Sequence, residues 1–201
     1  MDLRIGFFAS HDGSNVVTVF DNIKEGKLDA QACVIISNNS DAGVFDIARD
    51  NGVAYYCLND KNYPQEKGSL DDSILDVLSS YNVNLIVLAG YAKKISGKII
   101  GVYKNRILNI HPSLLPKHGG RGMYGLNVHQ SVLESGDKKS GSTIHLVTGE
   151  YDVGRILAQE EVDVGEDDAD ALSKKISFLG GEMLVRALDE IQSGLIDLNA
   201  R

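Results

Sequence analysis

Leu85-Ile86-Val87-Leu88-Ala89-Gly90 is a run of apolar residues closed by a glycine. A strand with one face in water alternates apolar and polar side chains. This one does not, so both of its faces are buried. Strands of that kind belong to parallel sheets covered by helices on both sides. The pattern recurs outward from this point. Leu3–Ala9, Ala32–Ile36 and Ala54–Leu58 precede it as strands, and Ile107–His111 follows it. Val16–Lys24, Val44–Arg49 and Leu70–Tyr81 lie between them with helical spacing. Leu70, Ile74, Leu75 and Leu78 mark one apolar face of the last of these.

Farther along, Val128–Glu134 reads as a helix and Thr143–Val147 and Ile156–Val162 as strands. Asp168–Gln192 reads as a terminal helix, broken or kinked near Gly180-Gly181. The stretch Pro112–Gly125 holds Gly119, Gly120, Gly122 and Gly125, and is too long and glycine-rich for a plain connector. No repeat, linker or low-complexity segment divides the chain. The expectation is one α/β domain over residues 1–201, with a mostly parallel sheet and helices on both faces.

The chain has 201 residues, 43% of them hydrophobic and 24% charged, enough to bury a core and stay in solution. A net charge of −8 disfavours generic binding to nucleic acid or to acidic lipid, while leaving room for a local pocket for a small anion. Cys33 and Cys57 lie far apart in strand-like runs and read as buried thiols in a reducing compartment. No secretory leader and no membrane-length apolar run is visible, so a cytoplasmic location is expected.

Three groups of residues carry chemistry. Gly13-Ser14-Asn15 lies between the first strand and the first helix, where exposed N–H groups favour an anion. The alternative is a helix cap by Ser14 or Asn15 with no ligand. A full glycine fingerprint for a dinucleotide is missing. Asn109 and His111 stand two apart on one strand and so project to the same face, near the carboxyl end where open α/β sheets bind ligands. Pro112 holds His111 extended and stops the strand. An imidazole beside an amide suits acyl chemistry, one moving a proton and the other hydrogen-bonding a developing oxyanion. The alternative is a pair that only satisfies backbone groups. Asp152, two residues before Gly154, is either a turn residue or a partner for His111. His111, His129, His145 and Asp152 lack metal-ligand spacing, and no metal is expected. His145 is placed beside the pocket and His129 on a helix surface. Lys93-Lys94 reads as a solvated turn, and Glu166-Asp167-Asp168 as the acidic start of a helix.

Leu108-Asn109-Ile110-His111-Pro112-Ser113-Leu114-Leu115-Pro116 resembles the folate-dependent formyltransferases. The likeness takes in Gly13-Ser14-Asn15, Val87-Leu88-Ala89-Gly90-Tyr91, Gly122-Met123-Tyr124-Gly125, and His145 with Asp152, in that family's order. It is strongest to members that formylate glycinamide ribonucleotide in purine biosynthesis. The resemblance implies a Rossmann-like sheet of seven strands. It implies a phosphate-binding half over about residues 1–100 and a folate-binding, catalytic half over about 101–201. It implies 10-formyltetrahydrofolate as donor and Asn109, His111 and Asp152 as catalytic residues. Gly13, Ser14 and Asn15 would hold the acceptor's phosphate. Lys67, Tyr91, Ala92, Lys93, Lys94, Ile95, Asn109, Val147, Thr148 and Asp152 would meet the folate. Partners are then small molecules, not nucleic acid or membrane, with a homodimer left open. The family's Gln and Glu-His side chains of the last helix are replaced here within Ile176-Ser177-Phe178-Leu179-Gly180-Gly181-Glu182, where Glu182 is the candidate to compensate. Formylation of another amine, such as a nucleotide-linked amino sugar, is the alternative.

Overall fold

Apolar side chains on both faces of the first strand, β1 (Leu3–Phe8), dictate a core on each side of the sheet. Leu3, Ile5 and Phe7 enter one core and Phe8 enters the other. A computed structural model describes residues 2–61 and 69–200. In chain order the remaining elements are α1 (Ser14–Lys24), β2 (Ala30–Ser37), α2 (Val44–Asp50), β3 (Ala54–Cys57), α3 (Leu70–Ser80), β4 (Leu85–Leu88), α4 (Gly97–Val102), β5 (Ile107–His111), α5 (Leu126–Ser135), β6 (Lys139–Leu146), β7 (Ile156–Asp163) and α6 (Ala169–Ser193).

The strands form one seven-stranded sheet in the order β3-β2-β1-β4-β5-β6-β7. From β3 to β5 all pairs are parallel; β6 and β7 add on antiparallel. The mostly parallel α/β fold read from the sequence is therefore present. Period-two alternation divides the core. Ile35, Leu85 and Val87 pack with α1, α2 and α6, while Ile36, Ile86 and Leu88 pack with α3 and α4. The chain leaves β1 toward β2 on one side and takes up β4 on the other. That switch of direction opens a crevice beyond the carboxyl ends of β1 and β4.

Several local expectations change. The terminal helix is unbroken: α6 runs 25 residues through Gly180 and Gly181. Each glycine costs about 1 kcal/mol of helix propensity relative to alanine, but both allow close packing. A Cβ at Gly181 would lie 2.7 Å from Thr18 Oγ1, and one at Gly180 would lie 3.0 Å from Ser142 Oγ. Strand β6 begins four residues earlier than its apolar pattern, since Ser140 and Ser142 are buried there as hydroxyl residues that hydropathy does not register. The short helix α4, capped by the Ser96 hydroxyl on Ile99 N, has no clear periodicity and is absent from the sequence reading. Cys33 is buried, but Cys57 is only half-buried at the end of β3. Among the described residues, no helix is long and apolar enough to cross a membrane.

Candidate active site

β5 carries Asn109 and His111 to the mouth of the crevice, and strand geometry turns both toward one cavity of about 530 Å³. That volume suits a ligand of moderate size. Its wall comes from the turn after β1 (His11), the first turn of α1 (Asn15), the segment after β4 (Gly90–Ile95), the glycine-rich loop (Gly120–Gly125) and the β6–β7 connection (Val147, Thr148, Glu150–Asp152).

Asp152 sits in that connection with a left-handed backbone, φ 55. It is a turn residue, and it also reaches the β5 pair. Its Oδ2 lies 3.6 Å from His111 Nδ1 and accepts the Gly120 N–H at 2.8 Å. Its Oδ1 lies 3.5 Å from both Asn109 Nδ2 and His145 Nε2. Burial alone would raise the Asp152 pKa, but contacts with His145, His111 and the Gly120 N–H outweigh it, so the carboxyl stays below the ordinary 3.8.

His111 is 3% exposed. Its Nε2 donates to the His118 carbonyl at 2.8 Å, and Nδ1 faces Asp152. Burial pushes its pKa below the ordinary 6.5 despite the opposing pull of Asp152, so the ring rests neutral at neutral pH. His145 Nδ1 donates to the Leu146 carbonyl at 3.0 Å, leaving Nε2 to accept from Asn109 Nδ2, also at 3.0 Å. One Asn109 N–H is thereby engaged. The other, 3.5 Å from Asp152, makes at most a weak bond and is available to a ligand.

Tyr91, Ala92, Lys93, Lys94, Ile95, Val147 and Thr148 all line the cavity. Burial drives the Tyr91 phenol up to about 12, and its ring packs edge-on against Phe8. Lys94 Nζ stands 5.2 Å from the centre of the Tyr151 ring. Lys67 lies outside the described residues.

At the start of α1 the capping residue is Gly13, φ 70, with no side-chain cap bond, so neither Ser14 nor Asn15 caps the helix. A side chain at 13 would meet Val44 at 2.6 Å. Ser14 Oγ is instead 2.7 Å from Ser177 Oγ on α6. Of the three residues only Asn15 lines the cavity, and its Oδ1 is buried without a protein partner. Glu182 does not line the cavity. Ser173, Ile176 and Ser177 are the α6 residues that face it.

His129 is a correction. It is 2% exposed, on the buried face of α5 with Val128 and Val132, and it lines the cavity rather than a helix surface. His118 and Gly120 were not singled out from the sequence. The only signal for them was the glycine density of their loop. Among the described residues no three His, Cys, Asp or Glu side chains are grouped as metal ligands.

The sequence profile of the formyl transferase family matches residues 3–188. The chain belongs to the formyl transferase family. Among curated relatives, the phosphoribosylglycinamide formyltransferase of Arabidopsis thaliana, described as chloroplastic, is 38% identical over 86% of this chain. The chain spans 60% of that relative's length. The phosphoribosylglycinamide formyltransferase of Haemophilus influenzae is 37% identical over 83% of this chain and 76% of its own length. The crystal structure of glycinamide ribonucleotide transformylase 1 from Symbiobacterium toebii superposes with a TM-score of 0.88 at 34% identity. That match covers 96% of this chain and 89% of the other. The mostly parallel α/β fold is thus common to this family member and that structure.

Proposed function

We propose that this formyl transferase family member moves a formyl group from 10-formyltetrahydrofolate to the amine of glycinamide ribonucleotide, in purine biosynthesis. The observation that carries the reading is the meeting of Asn109, His111 and Asp152 from two distant segments in one cavity, within a fold shared with relatives bearing that name.

The residues divide the work as follows. The acceptor amine must be neutral to attack the formyl carbon. The formyl oxygen gains negative charge as it does so, and the second N–H of Asn109 hydrogen-bonds it. His111 is the group that moves the proton. Its burial argues for a neutral ring at rest, whose Nδ1 takes the amine proton. The Asp152 carboxylate, 3.6 Å away, stabilises the imidazolium so formed. Nδ1 then returns the proton to the departing folate nitrogen, directly or through water. No covalent bond to the protein is required.

The donor's ring system occupies the side lined by Tyr91–Ile95, Val147, Thr148 and Asp152. The acceptor's phosphate occupies the start of α1, at Gly13, Ser14 and Asn15. There, first-turn N–H groups supply donors and Asn15 supplies a cavity-facing amide. In this reading residues 1–100 mainly hold the acceptor and residues 101–201 mainly carry the chemistry. A cytoplasmic location and association as a homodimer belong to the same reading, and sizing of the purified chain tests the latter.

The second reading is formylation of another amine, such as a nucleotide-linked amino sugar. It is favoured by α6, where Gly180 and Gly181 pack on Ser142 and Thr18 and offer no side chain to the acceptor. An assay of 10-formyltetrahydrofolate turnover with glycinamide ribonucleotide beside a nucleotide-linked amino sugar separates the two. Turnover with the ribonucleotide supports the first; turnover with the amino sugar alone refutes it.

A further inference from the structure

His118 does not line the main cavity, yet its backbone decides how His111 presents itself there. A carbonyl can only accept. The 2.8 Å contact between His111 Nε2 and the His118 oxygen therefore places the ring proton on Nε2. Nδ1, facing Asp152, is left as the nitrogen that can gain and lose a proton.

The His118 carbonyl points at His111 with residue 118 in the left-handed region, φ 53. That conformation is costly for a residue with a side chain and needs holding contacts. They are present. His118 Nε2 lies 3.0 Å from Asp137 Oδ2, just beyond α5, and Nδ1 lies 2.8 Å from Ser131 Oγ within α5. Lys117 Nζ bonds both Asp137 oxygens, at 2.9 and 3.1 Å. Ser113 Oγ donates to the Lys117 carbonyl at 2.7 Å. The end of α5 is thus tied to the strained residue and to the one before it. A second cavity opens beside this cluster, lined by Lys117, His118, Asp137 and Lys138 among others. Ser131 is not on its wall, so the Ser-His-Asp sequence of contacts does not present a nucleophile to solvent there.

We propose that Asp137 and His118 are positioning residues: through the His118 carbonyl they keep the His111 proton on Nε2 and its exchanging nitrogen toward Asp152. The proposal rests on the formyl-transfer reading for its catalytic consequence, but not for the tautomer itself.

The test uses nitrogen NMR of isotope-labelled histidine in the whole chain, with the His111 signals assigned by their loss in His111→Ala. Formyl-transfer kinetics are measured alongside. In the wild type the His111 proton resides on Nε2. In Asp137→Ala the two tautomers mix and kcat falls by about tenfold or more, because the reacting group is no longer held in place. KM for both substrates stays within about twofold, since neither is contacted. Asp137→Asn keeps an oxygen for His118 Nε2 and recovers most of the loss. Ser131→Ala, which removes the other ring contact, serves if Asp137→Ala does not fold, with a smaller change in the same direction. An unchanged His111 tautomer in the folded variant overturns the proposal, whether or not kcat falls. A wild type that transfers no formyl group while its tautomer still responds to Asp137 refutes the functional reading and supports the positioning link.

Discussion

The Asp152 carboxylate reaches within 3.6 Å of His111 Nδ1 although one residue ends β5 and the other lies in the turn between β6 and β7. The antiparallel pairing of β5 with β6 makes this possible. It sets His145 beside Asn109 and delivers the following turn to the end of β5. His111→Ala is expected to lower kcat by about 10² to 10⁴ while the fold persists, as loss of a proton-transferring group does. Steady-state kinetics with a circular dichroism control checks this. A folded variant with near-normal kcat removes His111 from the mechanism.

Asn109→Ala is expected to lower kcat more than it raises KM for either substrate. An oxyanion donor acts mainly in the transition state, and one such donor is worth about 10²-fold or more in rate. A change confined to KM would make Asn109 a ground-state binding residue.

The fold was legible wherever apolar periodicity specified it. Leu85–Ala89 and Ile107–His111 announced buried strands, and the order of elements followed. Ser140 and Ser142 are buried in β6 but look polar, so the start of that strand was hidden. Gly180-Gly181 looked like a break because propensity is local, whereas the close approach of Thr18 and Ser142 that requires small residues is not. Asn109 and His111 were visible as neighbours by period two alone. The roles of Asp152 and His129 depended on tertiary placement. The His118–Asp137 contact left no trace in spacing.

Stability is expected to decline in acid in two stages. His111 and His129 are both held below the ordinary 6.5, chiefly by burial. Between their folded values and 6.5 the unfolded chain binds more protons, so stability is complete above about 6.5 and is lost as pH falls below it. Asp152 is held below 3.8, and its contribution is lost as pH falls further, through that folded value. Thermal midpoints measured from about pH 7 to about pH 5 should fall in the wild type. They should fall less steeply in His129→Gln, which has no buried ring to protonate. Identical slopes would show that His129 does not contribute.

If the start of α1 holds the acceptor's phosphate, glycinamide ribonucleotide should exceed its dephosphorylated nucleoside in kcat/KM by about 10-fold or more, since charge-assisted hydrogen bonds are about twice as strong as neutral ones. Gly13→Ala should narrow that gap by raising KM for the ribonucleotide. It should also cost stability, because residue 13 has φ 70 and a Cβ there would meet Val44. Equal kcat/KM values for the two acceptors would remove the phosphate site.

The most direct measurement follows the formyl carbon itself. The wild-type chain is mixed with 10-formyltetrahydrofolate carrying an isotope-labelled formyl group and with glycinamide ribonucleotide, and the products are separated by mass spectrometry. The account predicts the label as a formamide on the ribonucleotide's amine, formed in step with loss of the folate donor and absent from His111→Ala. Label released as free formate, or retained on the donor while the wild-type chain is folded, would contradict it.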